Sequence, residues 1–254
     1  MGIFLGKNLH SGDPEVREWD VMYQSLPEGK IAFLSDFHID DESDLESFAV
    51  LRKQIIETDP DLIIFGGDYS NQSDVISHTF RRTIAKALKA LTGDKPSFAV
   101  LGNHDYEQSE KLWMEALTDA GIKVLDNEVI RLASKKSNIC VRGLGDRFSG
   151  HWTLTPIPEE CMGRTITVTH DPHGLLNDKG ELETLGLAGH THCGQVALPL
   201  IGPLFVPTKA PQEMHCGRFD KKHLGITSGG LGSSLIPLRW GHNTEPGWEL
   251  IVIQ

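Results

Sequence analysis

Short apolar runs that stop abruptly at a polar cluster recur along this chain. Residues 30–35 (KIAFLS) end at Asp36, residues 62–65 (LIIF) at Gly66-Gly67-Asp68, and residues 97–101 (SFAVL) at Gly102-Asn103-His104. Runs of this length, rich in β-branched and aromatic residues and bounded by glycine, predict buried strands. Helical periods fill the gaps between them. One spans residues 44–58, opened by a capping box in which Ser43 faces Glu46, with Leu45, Phe48, Ile55 and Ile56 on one face. Phe80, Ile84, Leu88 and Leu91 mark a second helix. Leu112, Ala116 and Ala120 mark a third, stopped by Gly121. Three repeats of strand, polar loop and helix predict a parallel α/β core. In such sheets ligands bind beyond the carboxyl ends of the strands, where all three clusters fall.

From Lys123 onward the helical signal thins. Short strands are expected at residues 129–132, 139–141, 165–169, 185–188, 195–198, 224–227 and 248–253. The join near residues 121–127 reads as a half-boundary and not as a linker. Two more polar clusters lie beyond it, Thr169-His170-Asp171 and Gly189-His190-Thr191-His192. Both halves must therefore close on one site, within a single domain spanning residues 1–254. No internal repeat or low-complexity segment breaks this pattern.

The bulk properties narrow the function classes. A formal charge of −11 argues against a broad nucleic-acid surface. Bound metal would have to supply the positive field for a phosphate substrate. The cysteines, Cys140, Cys161, Cys193 and Cys216, show neither close-paired spacing nor the density of a disulfide scaffold, and are expected to be reduced thiols. No apolar run is long enough to span a membrane, and residues 1–20 hold no hydrophobic signal core. These features point to the cytoplasm, with peripheral membrane association as an option.

As candidate ligands and catalytic groups the five clusters offer the carboxylates of Asp36 and Asp68, the amide of Asn103 and five imidazoles, with Asp105 beside them. Asp36 and His38, two apart on an extended segment, project to the same side and can grip one ion. Asp68 follows a buried strand, where one carboxylate can bridge two cations. Asn103 is a hard-oxygen donor, and the adjacent His104 can face substrate, with Asp105 orienting it and holding it protonated. His190 and His192 after an apolar run suit a metal clamp better than a core, and His170 stands at a strand end to complete the set. Each cluster alone is ordinary turn or strand-end chemistry. Five in one chain predict a site.

This ordered set resembles the calcineurin-like metallophosphoesterase superfamily across residues 30–192. The run Gly189-His190-Thr191-His192-Cys193-Gly194-Gln195-Val196, with Leu198-Pro199, Gly202-Pro203, Gly230-Leu231-Gly232-Ser233-Ser234, Pro237 and Arg239, narrows it to bacterial phosphodiesterases of the YaeI/YkuE type. Cys193 stands where that group usually has glycine, and Asn71 where the superfamily often has Asp. The resemblance implies a four-layer α/β/β/α sandwich of two mixed β-sheets flanked by helices. It implies a binuclear site of two divalent or trivalent ions, with Mn, Fe or Zn all admitted by the N/O donors. Asp36, His38 and His192 would hold one ion, Asn103, His170 and His190 the other, and Asp68 both. The implied reaction is phosphoester hydrolysis by metal-activated hydroxide, aided by His104 and Asp105.

Phosphodiesters rank ahead of monoesters as substrates. A pyrophosphatase acting on a nucleotide-sugar lipid, a cyclic-nucleotide enzyme and a non-catalytic binding module on the same fold stand as alternatives. The apolar, proline-broken stretch 196–207 reads as a packed strand pair, or else as a lip for a lipid-linked substrate or membrane surface. Asp146 is expected in a loop near the site. Arg239 reads as a surface salt bridge before a phosphate contact, and Cys193 as a small filler beside the clamp. His10, His78, His151, His173, His215, His223 and His242 lack a recruiting pattern, His173 and His215 being the least secure exclusions.

Overall fold

The structure is a computed structural model describing residues 3–5, 13–23, 25–71, 76–133, 138–198, 201–234, 238–241 and 244–254. His10, Pro199, Pro237 and His242 lie outside the described residues. Two six-stranded sheets form the middle. Across the first run β2 (Glu15–Val21), β16 (Gly247–Ile253), β3 (Gly29–Leu34), β4 (Leu62–Phe65), β5 (Ser97–Ala99) and β6 (Lys123–Val124). Across the second run β13 (Gly217–Lys221), β14 (His223–Thr227), β10 (Leu185–Ala188), β9 (Thr165–Val168), β8 (Asn138–Gly143) and β7 (Glu128–Ala133). Two short ribbons pair β1 (Ile3–Leu5) with β15 (Leu238–Trp240), and β11 (Ala197–Leu198) with β12 (Gly202–Pro203).

Both sheets are mixed. β3, β4, β5 and β6 are parallel, while β16 runs against β3. In the second sheet β14, β10, β9 and β8 are parallel, with antiparallel β13 and β7 at the edges. The period-two pleat divides each strand of the first sheet between two cores. Ile31, Phe33, Leu62 and Ile64 face the second sheet, meeting Val141, Ile166, Val168, Leu185 and Leu187. Ala32, Leu34, Ile63 and Phe65 face outward, onto α1 (Phe48–Thr58), α2 (His78–Thr92) and α3 (Asn103–Asp119). Burial on both faces explains why these strands read as continuous apolar runs. The outer face of the second sheet is covered differently. Leu175, Met214 and Ala210, on 3-10 turns and loops, pack there against Ala188 and Phe219. The fourth layer is thus made of short turns.

The chain passes from the first sheet to the second between β6 and β7, at residues 125–127, where the sequence pattern changes character. Other expectations shift in detail. The capping box before α1 uses Asp41 and Asp44, not Ser43 and Glu46, and it opens a 3-10 segment, Glu42–Ser47, ahead of the α-helix. Asp44 is the better cap because its carboxylate accepts from the Asp40 and Asp41 amides. Ile56 is 62% exposed, a quarter-turn off the face that buries Phe48 and Ile55. Strand β2 (EVREWDV) was hidden by its charges. Its Arg17 and Trp19 both donate to the buried carboxylate of Glu249 on β16, at 2.9 and 2.6 Å.

The expectation of reduced thiols is overturned. Cys140 is bonded to Cys161 and Cys193 to Cys216, across 21 and 23 residues of sequence. Cys140 lies opposite Thr165 in the β8–β9 register, and Cys161 ends the turn leading into β9. Sheet registry, not local spacing, makes the pair.

Candidate metal centre

Each polar cluster stands just past the carboxyl end of its strand: Asp36 after β3, Asp68 after β4, Asn103 after β5, His170 after β9 and His190 after β10. The backbone there is unusual. Asp36, His38, Asp68, His190 and His192 all have positive φ, between 46° and 69°. Outside glycine that conformation costs about 1–2 kcal/mol per residue, and such outliers gather at functional sites. Gly189 allows the close approach between halves: a Cβ there would meet Ser35 Oγ at 2.1 Å and Asp36 Oδ2 at 2.4 Å.

The side chains converge as two donor sets. In one, His38 Nε2 and His192 Nε2 are 3.0 Å apart, and His192 Nε2 is 3.5 Å from Asp36 Oδ1. In the other, His170 Nε2 lies 3.1 Å from Asp68 Oδ2, with His190 beside it. Asp68 belongs to both, since the same Oδ2 is 3.6 Å from His38 Nε2. Nitrogens each bound about 2.0–2.1 Å from one ion stand about 3 Å apart when adjacent, so the first spacing matches a shared ion.

Hydrogen bonds around the donors fix which atoms remain free. His170 Nδ1 donates to Gly66 O at 2.7 Å and His190 Nε2 to Pro207 O at 2.5 Å. A carbonyl only accepts, so in the neutral rings His170 Nε2 and His190 Nδ1 are the nitrogens that carry lone pairs, the usual device for orienting a metal-binding imidazole. Asn103 Oδ1 is buried without a partner. Ser35 Oγ and the His190 amide fix the Asp36 carboxylate. The donors therefore fit metal binding. His192 is the one that resists. Its Nδ1 faces Arg239 Nη2 at 2.8 Å, and a guanidinium only donates, so Arg239 must release this contact for Nε2 to ligate.

Burial and mutual charge tune the groups. Desolvation holds His38 down to about 3 and, reinforced by Arg239, depresses His192. Burial raises Asp36. At Asp68 burial also pushes upward, but His170, His104 and His38 outweigh it and the carboxyl is held low. His170 is the reverse case: burial disfavours its charge, and Asp68 and Asp36 raise it well above the usual histidine value.

Several residues sit otherwise than the sequence suggested. Asp105 does not reach the His104 ring. Its Oδ2 accepts from the amides of Asp68 and Gly102, both at 2.8 Å, and its Oδ1 from Tyr69 N at 3.1 Å. Burial and the Asp68 charge push this carboxyl upward, against the Gly102 and Tyr69 amides that hold it down. His104 Nδ1 has no partner, its Nε2 is 4.0 Å from Asp68 Oδ2, and its amide donates to Asp68 Oδ1. Arg239 is fully buried and not a surface residue, bonded to Gly232 O and Thr244 O as well as His192. Its neighbours in sequence gave no sign of this. Asp146 is buried in the loop after β8, accepts from Ser149 N, and adds its charge at His170. Cys193 is disulfide-bonded. Neither excluded histidine joins the donor sets: His215 Nε2 donates to Ala210 O, and His173 stands outside the metal-type clusters.

A cavity of about 640 Å³ opens over Asp68, Asn103, His104 and His190. Its other walls are mostly apolar, with Phe148, Leu204, Phe205 and Leu238, and Glu107 is its charged side chain outside the donor sets and His104. Phe148 lies against the His190 ring, centroids 4.8 Å apart.

Comparison with known proteins agrees with this geometry. The family model described as calcineurin-like phosphoesterase matches residues 29–194. Phosphodiesterase YaeI of Escherichia coli (strain K12) is 31% identical over 208 residues, covering 80% of this chain and 75% of that protein. The uncharacterized metallophosphoesterase YkuE of Bacillus subtilis (strain 168) is 28% identical over 239 residues, covering 89% and 81%. The solved structure of Haemophilus influenzae NAD nucleotidase (NadN) superposes with a TM-score of 0.49 at 12% identity, over 82% of this chain. This chain spans under half of that protein, 46%.

Proposed function

Because the chain belongs to the calcineurin-like phosphoesterase family, and so to the metal-dependent phosphoric ester hydrolases, we propose that it is a binuclear phosphodiesterase. The observation that carries this reading is the Asp68 carboxylate, whose Oδ2 lies within 3.6 Å of His38 Nε2 and 3.1 Å of His170 Nε2, between the two donor sets. In this reading Asp36, His38 and His192 hold one ion, Asn103, His170 and His190 the other, and Asp68 bridges. Manganese, iron and zinc all suit such a mixed nitrogen and oxygen set. Bound there, two ions would acidify a water and neutralise charge on the phosphoryl group.

The chain's own groups do the remainder. His104, on the first turn of α3, lines the cavity with its ring edge-on to His38 and close to Asp68, and in this reading it serves to protonate the leaving oxygen or hydrogen-bond a phosphoryl oxygen. The amino end of α3 adds a favourable field for the anion. Asp105 braces the Gly67-Asp68 backbone. The apolar walls keep water away from the reacting ester. One domain spanning both halves is part of this reading, supported by a core that draws on both sheets. The two disulfides favour an oxidising compartment over the cytoplasm. Among the described residues no helix is long and apolar enough to cross a membrane.

A second reading, a pyrophosphatase acting on a lipid-linked nucleotide sugar, is favoured by the walls of the cavity, where Leu204 is 61% and Phe205 64% exposed. The test is metal content together with Mn²⁺-stimulated hydrolysis of an aryl phosphodiester against the matching monoester. Two metal equivalents with diester cleavage, both reduced in Asp68→Asn, are expected. Two metals without turnover on either ester would shift the reading to the pyrophosphatase, and no metal would end it.

A further inference from the structure

The loop that carries His190 and His192 is held in a conformation that most residues avoid. His190, His192, Cys193, Gly194 and Gln195 all have φ between 49° and 79°. Glycine adopts this region freely, whereas a cysteine at φ 53° is strained and needs its surroundings to hold it there. Cys193 directly follows the donor His192, and its side chain is bonded to Cys216, at the entrance to β13. That anchor is itself fixed, since β13 pairs along its length with β14 and Thr227 Oγ1 donates to Met214 O. Downstream the loop is held by hydrogen bonds, including Trp240 N to Gln195 O at 2.9 Å and Gln195 Nε2 to Ser234 O.

We propose that the Cys193–Cys216 disulfide is a strap that positions the His190 and His192 metal donors, and that its reduction weakens metal binding. The inference rests on the two-metal reading of the site. The two disulfides differ in exposure: Cys140 and Cys161 are both fully buried, whereas in the strap Cys193 is buried and Cys216 is half-buried. Thiol–disulfide chemistry depends on access, which makes the strap the labile bond of the pair. A water-soluble trialkylphosphine reduces it without supplying a competing thiol. Phosphorus gives two electrons to the disulfide, the S–S bond breaks, and water provides the oxygen of the phosphine oxide and the two thiol protons.

The experiment is Mn²⁺ titration by calorimetry on the full chain, oxidised and then phosphine-treated and desalted, beside three double variants. Reduction of the wild-type chain is expected to weaken Mn²⁺ binding by about tenfold or more, the range seen when supports of metal ligands are removed. C140S/C161S, which keeps only the strap, should respond equally. C193S/C216S should bind like the reduced chain with or without phosphine. C193G/C216S should regain much of the oxidised affinity, because glycine accepts the same backbone without a strap. A disulfide with a merely structural role would lower the melting temperature of the metal-free protein and leave Mn²⁺ affinity alone, with no rescue by glycine. Equal affinity in both redox states would overturn the proposal and spare the two-metal reading. An oxidised chain that binds no Mn²⁺ would remove the reading itself, and the strap with it. If C140S/C161S does not fold, the wild-type and C193S/C216S titrations decide.

Discussion

Replacing Asp105 with asparagine changes one buried oxygen to an amide and separates two roles for this residue. In the structure Asp105 accepts three backbone amides, from Asp68, Gly102 and Tyr69, at 2.8, 2.8 and 3.1 Å. Asparagine can keep its one oxygen on the Asp68 and Gly102 side, but its NH₂ then confronts Tyr69 N–H. An orphaned buried donor costs about 1–3 kcal/mol, and the two surviving bonds lose their charge assistance. Relief of repulsion between the Asp105 and Asp68 carboxylates offsets part of this, leaving a net loss of about 2 kcal/mol. For a chain of this size that corresponds to roughly 2–4 °C of melting temperature per kcal/mol, so about 4–8 °C. Because the freed amide belongs to Tyr69, next in sequence to Asp68, and the bond kept to the Asp68 amide is weakened, metal affinity should fall by about 10–100-fold, while kcat at saturating metal stays near wild type. Thermal unfolding of the metal-free protein, a metal titration and steady-state kinetics on an aryl diester read all three. Unchanged stability and metal affinity with a large loss of kcat would refute the reasoning, and would return Asp105 to the His104-orienting role that the sequence suggested.

Two other substitutions test neighbouring roles. His104→Ala should keep both metals, because the proposed reading gives His104 to the substrate and not to an ion, and should lower turnover by about 10²–10⁴-fold; loss of a metal equivalent by elemental analysis would show that His104 is a ligand. Arg239→Leu should cost about 2–4 kcal/mol in urea unfolding, since it strands Gly232 O and Thr244 O in the interior; a change within about 0.5 kcal/mol, as at ordinary surface sites, would contradict its burial.

Much of this protein is written locally. Residues 62–65 are apolar at every position because β4 is covered by helices on one face and by the second sheet on the other. The residues just after such strands must serve polar ends, so Asp36, Asp68, Asn103, His170 and His190 stood out by placement as well as by type. Period and strand ends are properties of neighbours in sequence, and they sufficed to single out side chains that the structure brings together. What lay outside that reach depends on partners far along the chain. The charges of β2 concealed a strand because Arg17 and Trp19 are satisfied by Glu249, more than 200 residues away. Arg239 gave no sign of burial, because the carbonyls that accept its hydrogen bonds are placed by loop closure around the site. Asp105 looked like a partner for the adjacent His104, yet helix α3 turns it toward amides that arrive from β4. The cysteines lacked any paired spacing, since the β8–β9 register and the meeting of the clamp loop with β13 decided which sulfurs touch. Sequence fixed which chemistry was present and at which strand ends; the packing of two sheets decided what each group faces, because hydrogen bonds and disulfides form by distance in space and not along the chain.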